Sequence, residues 1–507
     1  MRASILVSLI FPILAFALPP PPQRPLLLDE LKNGRVDPSD IRRECFATFD
    51  DTANKNETVC VNTVVQIVPN SAGLDWGSSI QYCGYVDYAT GNADPHYFFW
   101  LVMSENSPEM DPLVLWLNGG PGASSLLGLF DQWGPRRIVG KKKLKENKNR
   151  MTESINWLFL ENPTGVGFSY AQQQPRTSKQ AATQVERFLS GFFATTFKHP
   201  SGDVKFNINP LHVAGESYAG HYVPAIGAAL VENHAPWRLR SLIIGNGMVD
   251  LEDMTRGTSD LICSDPPLAF NPKPARCNKQ DAYVNSCYSV MEQCKKDPHM
   301  CRYGYSSCRD GLGFGWAENL ETDLYDFTKT TKQGAARKTL YEETFKEFIN
   351  GMKALFGLER DIAWTYMNTP VWDAFVESGD WTRSYLPELG TVLSAGINVL
   401  LYAGDVDLAV PYTTVERTAY RLDWVDAPGQ TSTARRDHFR ECMIQQDEAH
   451  RTKLMLNDVE YGSYVKYGQL TYARVYGAGH MINENKPKEA KDMFEKWILR
   501  NSFLNCK

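Results

Sequence analysis

A serine, an aspartate and a histidine in this sequence could together form a nucleophilic catalytic site. Ser217 lies in G-E-S-Y-A (Gly215–Ala219), after a short apolar run, where a buried strand could end in a tight turn that leads into a helix. Small neighbours suit such a turn because its backbone is crowded. A serine hydroxyl is a poor nucleophile at neutral pH and needs a base that a carboxylate orients. Asp405 or Asp407, and then His480, follow later in the chain and could supply these two groups.

Each of these residues also has an ordinary structural interpretation. The strict G-x-S-x-G pattern is not met, because Ala219 stands at the second glycine, and Ser217 could be a solvated serine in a glycine turn. The aspartates could cap a loop, and His480 could be a surface histidine with its hydrogen bonds satisfied. The groups nevertheless occur in the order serine, acid, histidine, each after an apolar run, and this ordered coincidence favours a catalytic triad.

The elements that must position these groups are predicted to form an α/β sheet. Short runs that are apolar on both faces are typical of central parallel strands. Glycine-bearing turns follow several of these runs, which is where an open α/β sheet places its ligand site. We predict strands over 64–68, 97–103, 113–117, 157–160, 211–214, 242–244, 399–402 and 471–476. Amphipathic patterns predict helices over 181–193 and 488–499.

Between about residues 251 and 362 the strand pattern gives way to prolines, polar helical pieces and cysteines. We predict that this insertion forms a lid over the sheet edge. The chain has 11 cysteines, of which five lie from Cys277 to Cys308, with Cys263 just before. Their gaps contain no C-x2-C pair, so disulfides are favoured over a metal site. We expect these bridges to stay within the insertion and the unpaired cysteine to lie outside it.

The first residues are typical of a secretory signal peptide. Arg2 precedes an apolar run and an A-F-A cleavage site, which predicts removal of residues 1–17. A proline-rich segment, 18–45, follows as a candidate propeptide, and the catalytic domain is predicted over 46–507. Asn56 begins a glycosylation sequon. We therefore expect a protein that is secreted or held in a vacuolar or lysosome-like compartment, without membrane association.

The composition gives no reason to expect a nucleic-acid partner. The formal net charge is -6, and no basic stripe with interleaved aromatic residues occurs. With 507 residues the chain can bury a large core, and its apolar fraction is ordinary for a globular protein. The sequence leaves the oligomeric state open.

Four motifs resemble the signature motifs of the serine carboxypeptidases. They are W-L-N-G-G-P-G-A-S-S (Trp116–Ser125), G-E-S-Y-A-G-H-Y-V-P (Gly215–Pro224), G-D-V-D (Gly404–Asp407) and G-A-G-H-M (Gly477–Met481), with I-G-N-G (Ile244–Gly247) as a weaker echo. The resemblance extends over most of the chain and implies an α/β-hydrolase fold. It also implies a peptidase that acts on peptides with a free C-terminus, releasing their C-terminal amino acids through an acyl-enzyme. No cofactor or metal is expected.

The resemblance implies a catalytic role for the residues that match these motifs. Ser217 would be the nucleophile, His480 the base and Asp407 the orienting acid. Asp405, the first aspartate of G-D-V-D, would then be structural. The oxyanion hole would consist of two backbone N–H groups, those of Gly120 and Tyr218.

A carboxypeptidase must also recognise the free carboxylate beside the scissile bond. The resemblance assigns this task to Trp116, Asn118, Gly119, Glu216 and the position of Gln132, and it places Met481 in the leaving-group pocket. Glu216 can contribute only when it is protonated, because two carboxylates in contact cannot both stay ionised. The resemblance therefore implies a preference for acidic pH.

Three positions depart from the usual motifs of that family. Ala123 stands where the family usually has a cysteine, so one common disulfide is missing. Gln132 stands where a second glutamate usually helps to bind the carboxylate, and Ile482-Asn483 replaces V-P after the histidine. None of these positions is a triad residue, so hydrolysis is expected while specificity is left open.

Two other functions fit the same sequence pattern. An acyltransferase or a small-peptide tailoring enzyme would share the chemistry up to deacylation and would pass the acyl group to an alcohol or an amine. A non-catalytic binding protein on the same fold is the second of these alternatives. The intact Ser217, Asp407 and His480 argue against that last alternative.

Overall fold

The computed structural model of the chain describes residues 42–50, 55–67, 71–88, 95–264, 274–358, 360–426, 431–445 and 451–506. The predicted signal peptide, residues 1–17, lies outside these ranges, as does the proline-rich segment up to residue 41. Asn56 lies in a strand, but its side chain is outside the described part of the structure. The glycosylation site therefore stays a prediction.

One large sheet forms the centre of the fold. The strands of the described residues are β1 (Arg42–Asp50), β2 (Lys55–Ile67), β3 (Gln81–Tyr88), β4 (His96–Val102), β5 (Leu113–Leu117), β6 (Arg136–Gly140), β7 (Lys143–Glu146), β8 (Asn156–Leu160), β9 (Leu211–Glu216), β10 (Leu239–Gly245), β11 (Thr322–Asp323), β12 (Asp326–Thr330), β13 (Asn398–Gly404), β14 (Thr452–Leu456), β15 (Val459–Tyr467) and β16 (Leu470–Val475). Twelve of them form the sheet, in the order β1-β2-β3-β4-β8-β5-β9-β10-β13-β16-β15-β14. The strands β6 and β7 form a separate hairpin, as do β11 and β12.

The centre of this sheet is parallel. The strands β8, β5, β9, β10, β13 and β16 pair in parallel with their neighbours. β5, β8 and β9 are buried along their whole length, as strands that are apolar on both faces should be. Antiparallel strands extend the sheet at both edges, β4 joining β8 on one side and β15 joining β16 on the other. The predicted α/β fold with a central parallel sheet is confirmed.

Helices cover both faces of the sheet. The α-helices of the described residues are Ser178–Ala194, Ala219–Glu232, Leu251–Cys263, Pro274–Lys296, Gly304–Cys308, Gly313–Leu320, Thr331–Thr339, Lys346–Gly351, Thr369–Glu377, Leu386–Ser394, Tyr412–Arg421, Ala434–Gln445, Ile482–Asn485 and Pro487–Ile498. Leu115 of β5 packs with the first two of these helices, while its neighbour Trp116 belongs to the core on the opposite face, with the helix Pro487–Ile498. This division follows from the alternation of side chains along a strand.

The segment between β10 and β13 forms a lid. It contains most of the helices and the hairpin of β11 and β12. Some of its residues, from Phe314 to Tyr325 and from Thr331 to Tyr341, line a cavity that is also lined by Ser217 and His480. The segment therefore lies over the end of the sheet where the candidate catalytic residues meet.

The cysteines of the lid pair with one another. The bridges are Cys263–Cys277, Cys287–Cys308 and Cys294–Cys301, and the prediction that they stay inside the insertion is confirmed. A fourth bridge, Cys442–Cys506, ties the end of the described chain to the helix Ala434–Gln445. Among the described side chains, the buried Cys83 of β3 is free, which agrees with an unpaired cysteine outside the lid.

None of the helices in the described ranges combines the length and the apolar character that crossing a membrane requires.

Candidate active site

Ser217 lies in the sharp turn between β9 and the helix Ala219–Glu232. Its φ of 66° falls in the left-handed region, which residues other than glycine rarely adopt. Two backbone hydrogen bonds hold the turn against the end of β10 and the residues that follow it. The N–H of Ser217 donates to the carbonyl oxygen of Gly245 over 3.0 Å, and the N–H of Met248 donates to that of Ser217 over 3.0 Å.

The residues beside Ser217 must be small because the turn is tightly packed. A Cβ atom on Gly215 would lie 2.6 Å from the Cβ of Ala219, and one on Gly220 would lie 2.5 Å from the carbonyl oxygen of Met248. Ala219 is fully buried and its methyl group fits. The departure from G-x-S-x-G at this position is therefore compatible with a strand–turn–helix arrangement.

His480 is paired with Asp407 in the interior. Its Nδ1 lies 2.6 Å from Oδ2 of Asp407, and both side chains are almost completely buried. The Asp407 carboxylate also accepts hydrogen bonds from the N–H groups of Ala409, at 2.8 Å, and Val410, at 3.2 Å. The other ring nitrogen of His480, Nε2, is buried without a hydrogen-bond partner among the described residues. His480 and Ser217 line the same cavity.

Asp405 makes different contacts from Asp407. Its Oδ1 accepts a hydrogen bond from the N–H of Gly477 over 2.6 Å, and its Oδ2 lies 3.3 Å from the guanidinium of Arg474. These contacts join the end of β13 to the turn that follows β16. Asp405 thus ties two loops together, while Asp407 faces the imidazole.

The glycine-rich loop after β5 passes close to the Ser217 turn. A Cβ atom on Gly119 would lie 2.4 Å from the backbone nitrogen of Tyr218 and 2.8 Å from the Cβ of Ser217. Gly120 follows with a φ of 107°, which favours glycine. Gly119, Gly120 and Tyr218 line the cavity together with Ser217.

The predicted carboxylate-binding side chains converge on Glu216. Oε1 of Glu216 accepts hydrogen bonds from Nδ2 of Asn118 and from Nε2 of Gln132, each over 2.8 Å. All three side chains are buried and line the cavity. Gln132 thus contacts the carboxyl group that the sequence singled out for titration.

The structure corrects the direct role expected for Trp116. Its side chain is completely buried and is not among the cavity-lining residues. Its indole N–H donates over 3.0 Å to Oδ1 of Asn118, which also accepts from the N–H of Gly128. Because both hydrogen bonds occupy the amide oxygen, the amide nitrogen of Asn118 is turned toward Glu216. Trp116 therefore lies behind Asn118 and holds the amide oxygen of that residue.

The cavity that holds these groups has a volume of about 570 Å³ and is walled by both the sheet and the lid. Trp372, Trp381 and Phe314 form an apolar wall beside Tyr218, and Met481 lines the cavity next to His480. A cavity of about 810 Å³ elsewhere is lined by a different set of residues, including Tyr385 and Glu388, and contains none of the predicted site residues.

A model of the serine carboxypeptidase family matches residues 74–500 of the chain. The chain belongs to this family. It is similar to carboxypeptidase Y of Komagataella phaffii, with 30% identity over 82% of this chain and 76% of the relative. It is also similar to the vacuolar serine-type carboxypeptidase ATG42 of Saccharomyces cerevisiae, with 28% identity over 96% of this chain and 89% of the relative.

A solved structure shares the fold of this family member. The prohormone-processing carboxypeptidase Kex1Δp of Saccharomyces cerevisiae superimposes with a TM-score of 0.64 at 20% identity, covering 83% of this chain and 91% of the other. The expected serine carboxypeptidase family and α/β-hydrolase fold are thereby confirmed.

The environment of His480 favours a proton on the ring. Burial lowers the pKa of the imidazole, but the adjacent Asp407 carboxylate and its hydrogen bond outweigh burial, and the pKa of His480 is raised above its usual value. The charge of Glu216 contributes in the same direction. This contribution disappears when Glu216 is protonated, so the two groups titrate as a coupled pair.

Glu216 holds its proton to unusually high pH for a carboxyl group. Burial raises its pKa to about 7, against the opposing effects of His480 and of the hydrogen bond from Gln132. The charges of Glu484 and Asp131 raise it further. At moderately acidic pH, Glu216 is therefore a neutral carboxylic acid inside the cavity.

Two residues of the site, Asn246 and Tyr325, were not predicted from the sequence. Nδ2 of Asn246 donates to Oδ2 of Asp407 over 2.9 Å, and its Oδ1 accepts from the N–H of Gly404 over 3.0 Å. Its position in the I-G-N-G motif was a signal that could have identified it. The N–H of His480 donates to the carbonyl oxygen of Tyr325 in the lid over 2.8 Å, and no local pattern indicates that contact.

Proposed function

We propose that this peptidase removes C-terminal residues with Ser217 as the nucleophile, His480 as the general base and Asp407 as the orienting acid. The observation that carries the proposal is the state of His480. Its Nδ1 is fixed on Asp407 at 2.6 Å, while its Nε2 has no partner among the described residues and the ring lines the cavity that Ser217 enters. A base positioned in this way is what a serine nucleophile requires.

The proposed reaction proceeds through an acyl-enzyme. Nε2 of His480 takes the proton of Ser217 Oγ as the oxygen attacks the carbonyl carbon of the last peptide bond. The backbone N–H groups of Gly120 and Tyr218 stabilise the resulting oxyanion. The imidazolium then gives its proton to the leaving amine. In the second half of the reaction His480 takes a proton from water, which attacks the acyl-enzyme, and Ser217 is released with its proton restored.

Recognition of the free C-terminus rests on Glu216 and its neighbours. A protonated Glu216 can donate to the substrate carboxylate, and the second amide hydrogen of Asn118 is available for the same task. The Gln132 amide holds Glu216 in place over 2.8 Å and stays neutral at every working pH. These roles support an exopeptidase, because an endopeptidase has no carboxylate to bind beside the scissile bond.

The same residues lead us to propose a preference for acidic pH. Above its pKa of about 7, Glu216 is ionised and repels the substrate carboxylate, so KM for peptides should rise as the pH passes that value. Below it, the neutral Glu216 no longer raises the pKa of His480, which keeps the base available at more acidic pH. We place the activity optimum on the acidic side of neutrality for this reason.

We further propose that residues 1–17 direct the protein into the secretory pathway and are then removed. The disulfides of the lid support an oxidising compartment. One similar protein is named as vacuolar. N-terminal sequencing of the mature protein tests the cleavage site, and an intact Met1 would contradict it.

The test of the activity uses the full chain and a matched pair of peptides. A peptide with a free C-terminus and the same peptide with a C-terminal amide are incubated at pH 5, and the products are read as mass ladders. The free acid should lose single C-terminal residues, and the amide should be cleaved much more slowly. Wild type should react with a fluorophosphonate, while Ser217→Ala should fold but show neither labelling nor cleavage. Cleavage by that variant, or transfer of the shortened peptide to an alcohol or amine in place of its hydrolysis to a free acid, would contradict the proposal.

A further inference from the structure

A buried carboxylate lies behind the Ser217 turn. Asp380 is completely buried, and its two oxygens accept four hydrogen bonds. Tyr218 O–H and Tyr385 O–H donate over 2.8 and 2.7 Å. The N–H and the hydroxyl of Ser178 donate over 3.1 and 2.6 Å. The groups assigned above to catalysis and to carboxylate binding do not include Asp380.

The four donors come from three separate parts of the fold. Ser178 begins the helix Ser178–Ala194, Tyr218 follows the nucleophile, and Tyr385 directly precedes the helix Leu386–Ser394. Asp380 itself begins the short turn Asp380–Thr382, where the chain returns from the lid toward the sheet. One carboxylate thus joins the nucleophile turn to the base of the lid.

The turn needs such support on the side away from the sheet. Ser217 has a left-handed φ of 66°, a conformation that persists only where the surroundings fix it. Hydrogen bonds to Gly245 and Met248 hold Ser217 from the side of β10. The peptide that follows carries the N–H of Tyr218, and the side chain of Tyr218 is fixed on the other side by Asp380. Fixing the phenol limits rotation about the Tyr218 side chain and so limits movement of this peptide.

Resting on the proposed oxyanion role of the Tyr218 N–H, we propose that Asp380 is a positioning residue for the reaction: it holds the Tyr218 phenol and thereby fixes the oxyanion donor. The phenol oxygen is bonded to Asp380, while the ring lines the cavity beside Trp381, whose ring centre lies 5.1 Å away. Loss of the hydroxyl alone therefore leaves the wall in place. Loss of the Tyr218 hydroxyl should therefore weaken stabilisation of the transition state and lower kcat, while KM stays nearly unchanged.

Two phenylalanine substitutions separate this role from plain stabilisation. Tyr218→Phe and Tyr385→Phe each remove one phenol donor from the same carboxylate, and each leaves Asp380 three donors. Tyr218→Phe should lower kcat about tenfold with KM within about twofold, less than the hundredfold or more that complete loss of an oxyanion donor costs. Tyr385→Phe should change kcat by less than about twofold, because Asp380 still holds Tyr218. Equal kcat values for the two variants, or a change confined to KM, would overturn the inference.

A double-mutant cycle tests whether Asp380 acts through Tyr218. Asp380→Asn should lower kcat. The double variant with Tyr218→Phe should have a kcat no lower than that of the less active single variant. Additive losses would overturn the inference. If Asp380→Asn does not fold, the comparison of the two phenylalanine variants still decides. Failure of the proposed function is a separate result, since wild type would then resist the fluorophosphonate or Ser217→Ala would still cleave peptides.

Discussion

At the scale of single residues, the two aspartates of G-D-V-D have the same chemistry but different partners. Asp407 faces His480 and three further donors in the interior, while Asp405 joins Gly477 to Arg474. A substitution that removes the charge but keeps the shape should therefore affect catalysis at Asp407 and stability at Asp405.

Asp407→Asn should lower kcat by about a thousandfold or more, because the amide no longer selects the productive tautomer of His480. Asp405→Asn should leave kcat within about threefold and lower Tm, because its ion pair with Arg474 is lost. Steady-state kinetics on one peptide and thermal unfolding of both variants provide the measurement. An inactive, stable Asp405→Asn beside an active Asp407→Asn would reverse the assignment.

The contact between Gln132 and Glu216 predicts how KM depends on pH. In Gln132→Glu, two carboxyl groups would lie where Nε2 and Oε1 are now 2.8 Å apart, and they would share a proton as a coupled pair. One of them should ionise at a lower pH than the single Glu216 of wild type and repel the substrate carboxylate. KM for a free-acid peptide should therefore rise more steeply above about pH 5 in the variant than in wild type, where Glu216 keeps its proton to about pH 7.

The control for Gln132→Glu is the amidated peptide, which lacks the carboxylate and should show a similar pH dependence of KM in both proteins. Profiles from pH 4 to 7.5 that superimpose for the free acid would mean that Gln132 does not influence carboxylate binding.

At the scale of elements, the loop after β5 is held without the disulfide common in the family. Ala123 pairs with Met367 across a short antiparallel bridge. The flanking hydrogen bonds, Ser124 N–H to Tyr366 O at 3.0 Å and Asn368 N–H to Gly122 O at 2.9 Å, make Ala123 and Met367 the closely spaced type of pair. Such a pair has the Cα spacing that a disulfide needs.

The double substitution Ala123→Cys with Met367→Cys should form a bridge and stabilise the protein by about 2 kcal/mol or more, because it closes a long loop in the unfolded chain. Tm should rise in the oxidised variant and return toward the value of the reduced form with dithiothreitol. Catalysis should persist, because Gly119 and Gly120 keep their places. If both introduced cysteines stay free thiols under oxidising conditions, or if Tm does not change on oxidation, the expected geometry is contradicted.

At the scale of the whole molecule, buried carboxyl groups make stability depend on pH. Burial raises the pKa of Glu161 to about 7, against hydrogen bonds from Ser124, Ser125 and Trp364. Glu161 therefore binds its proton more tightly in the folded chain than in the unfolded one. Its contribution is complete below its ordinary pKa of 4.5 and is lost as the pH rises through about 7.

Glu161→Gln removes this titration and keeps the side chain nearly the same size. Relative to the variant, wild type should lose up to roughly 3 kcal/mol of unfolding free energy between pH 4.5 and 7.5, because the pKa of Glu161 rises to about 7 on folding. Denaturant unfolding of both proteins across this range provides the measurement. A stability difference that does not change with pH would show that Glu161 titrates at its ordinary pKa when folded.

Local patterns in the sequence determined the central strands, the turn at Ser217 and the disulfides of the lid. The apolar runs located the central strands, because a strand buried on both faces has no room for polar residues. The small residues around Ser217 predicted the turn, since their cause is steric crowding within a few residues. The cysteine cluster predicted bridges inside the lid because the partners lie close in sequence.

Only the tertiary structure decided which side chains meet across long distances in sequence. Trp116 turned out to hold Asn118, because the loop after β5 brings the amide oxygen within hydrogen-bond distance of the indole N–H. Asp380 meets Tyr218 because the lid returns to the sheet behind the nucleophile turn. Of the antiparallel strands at the edges of the sheet, the sequence patterns predicted β4 and the end of β2 but missed β1, β3, β14 and β15. Such contacts depend on strand order and on how the lid packs, and neither leaves a periodic signal in the residues that take part.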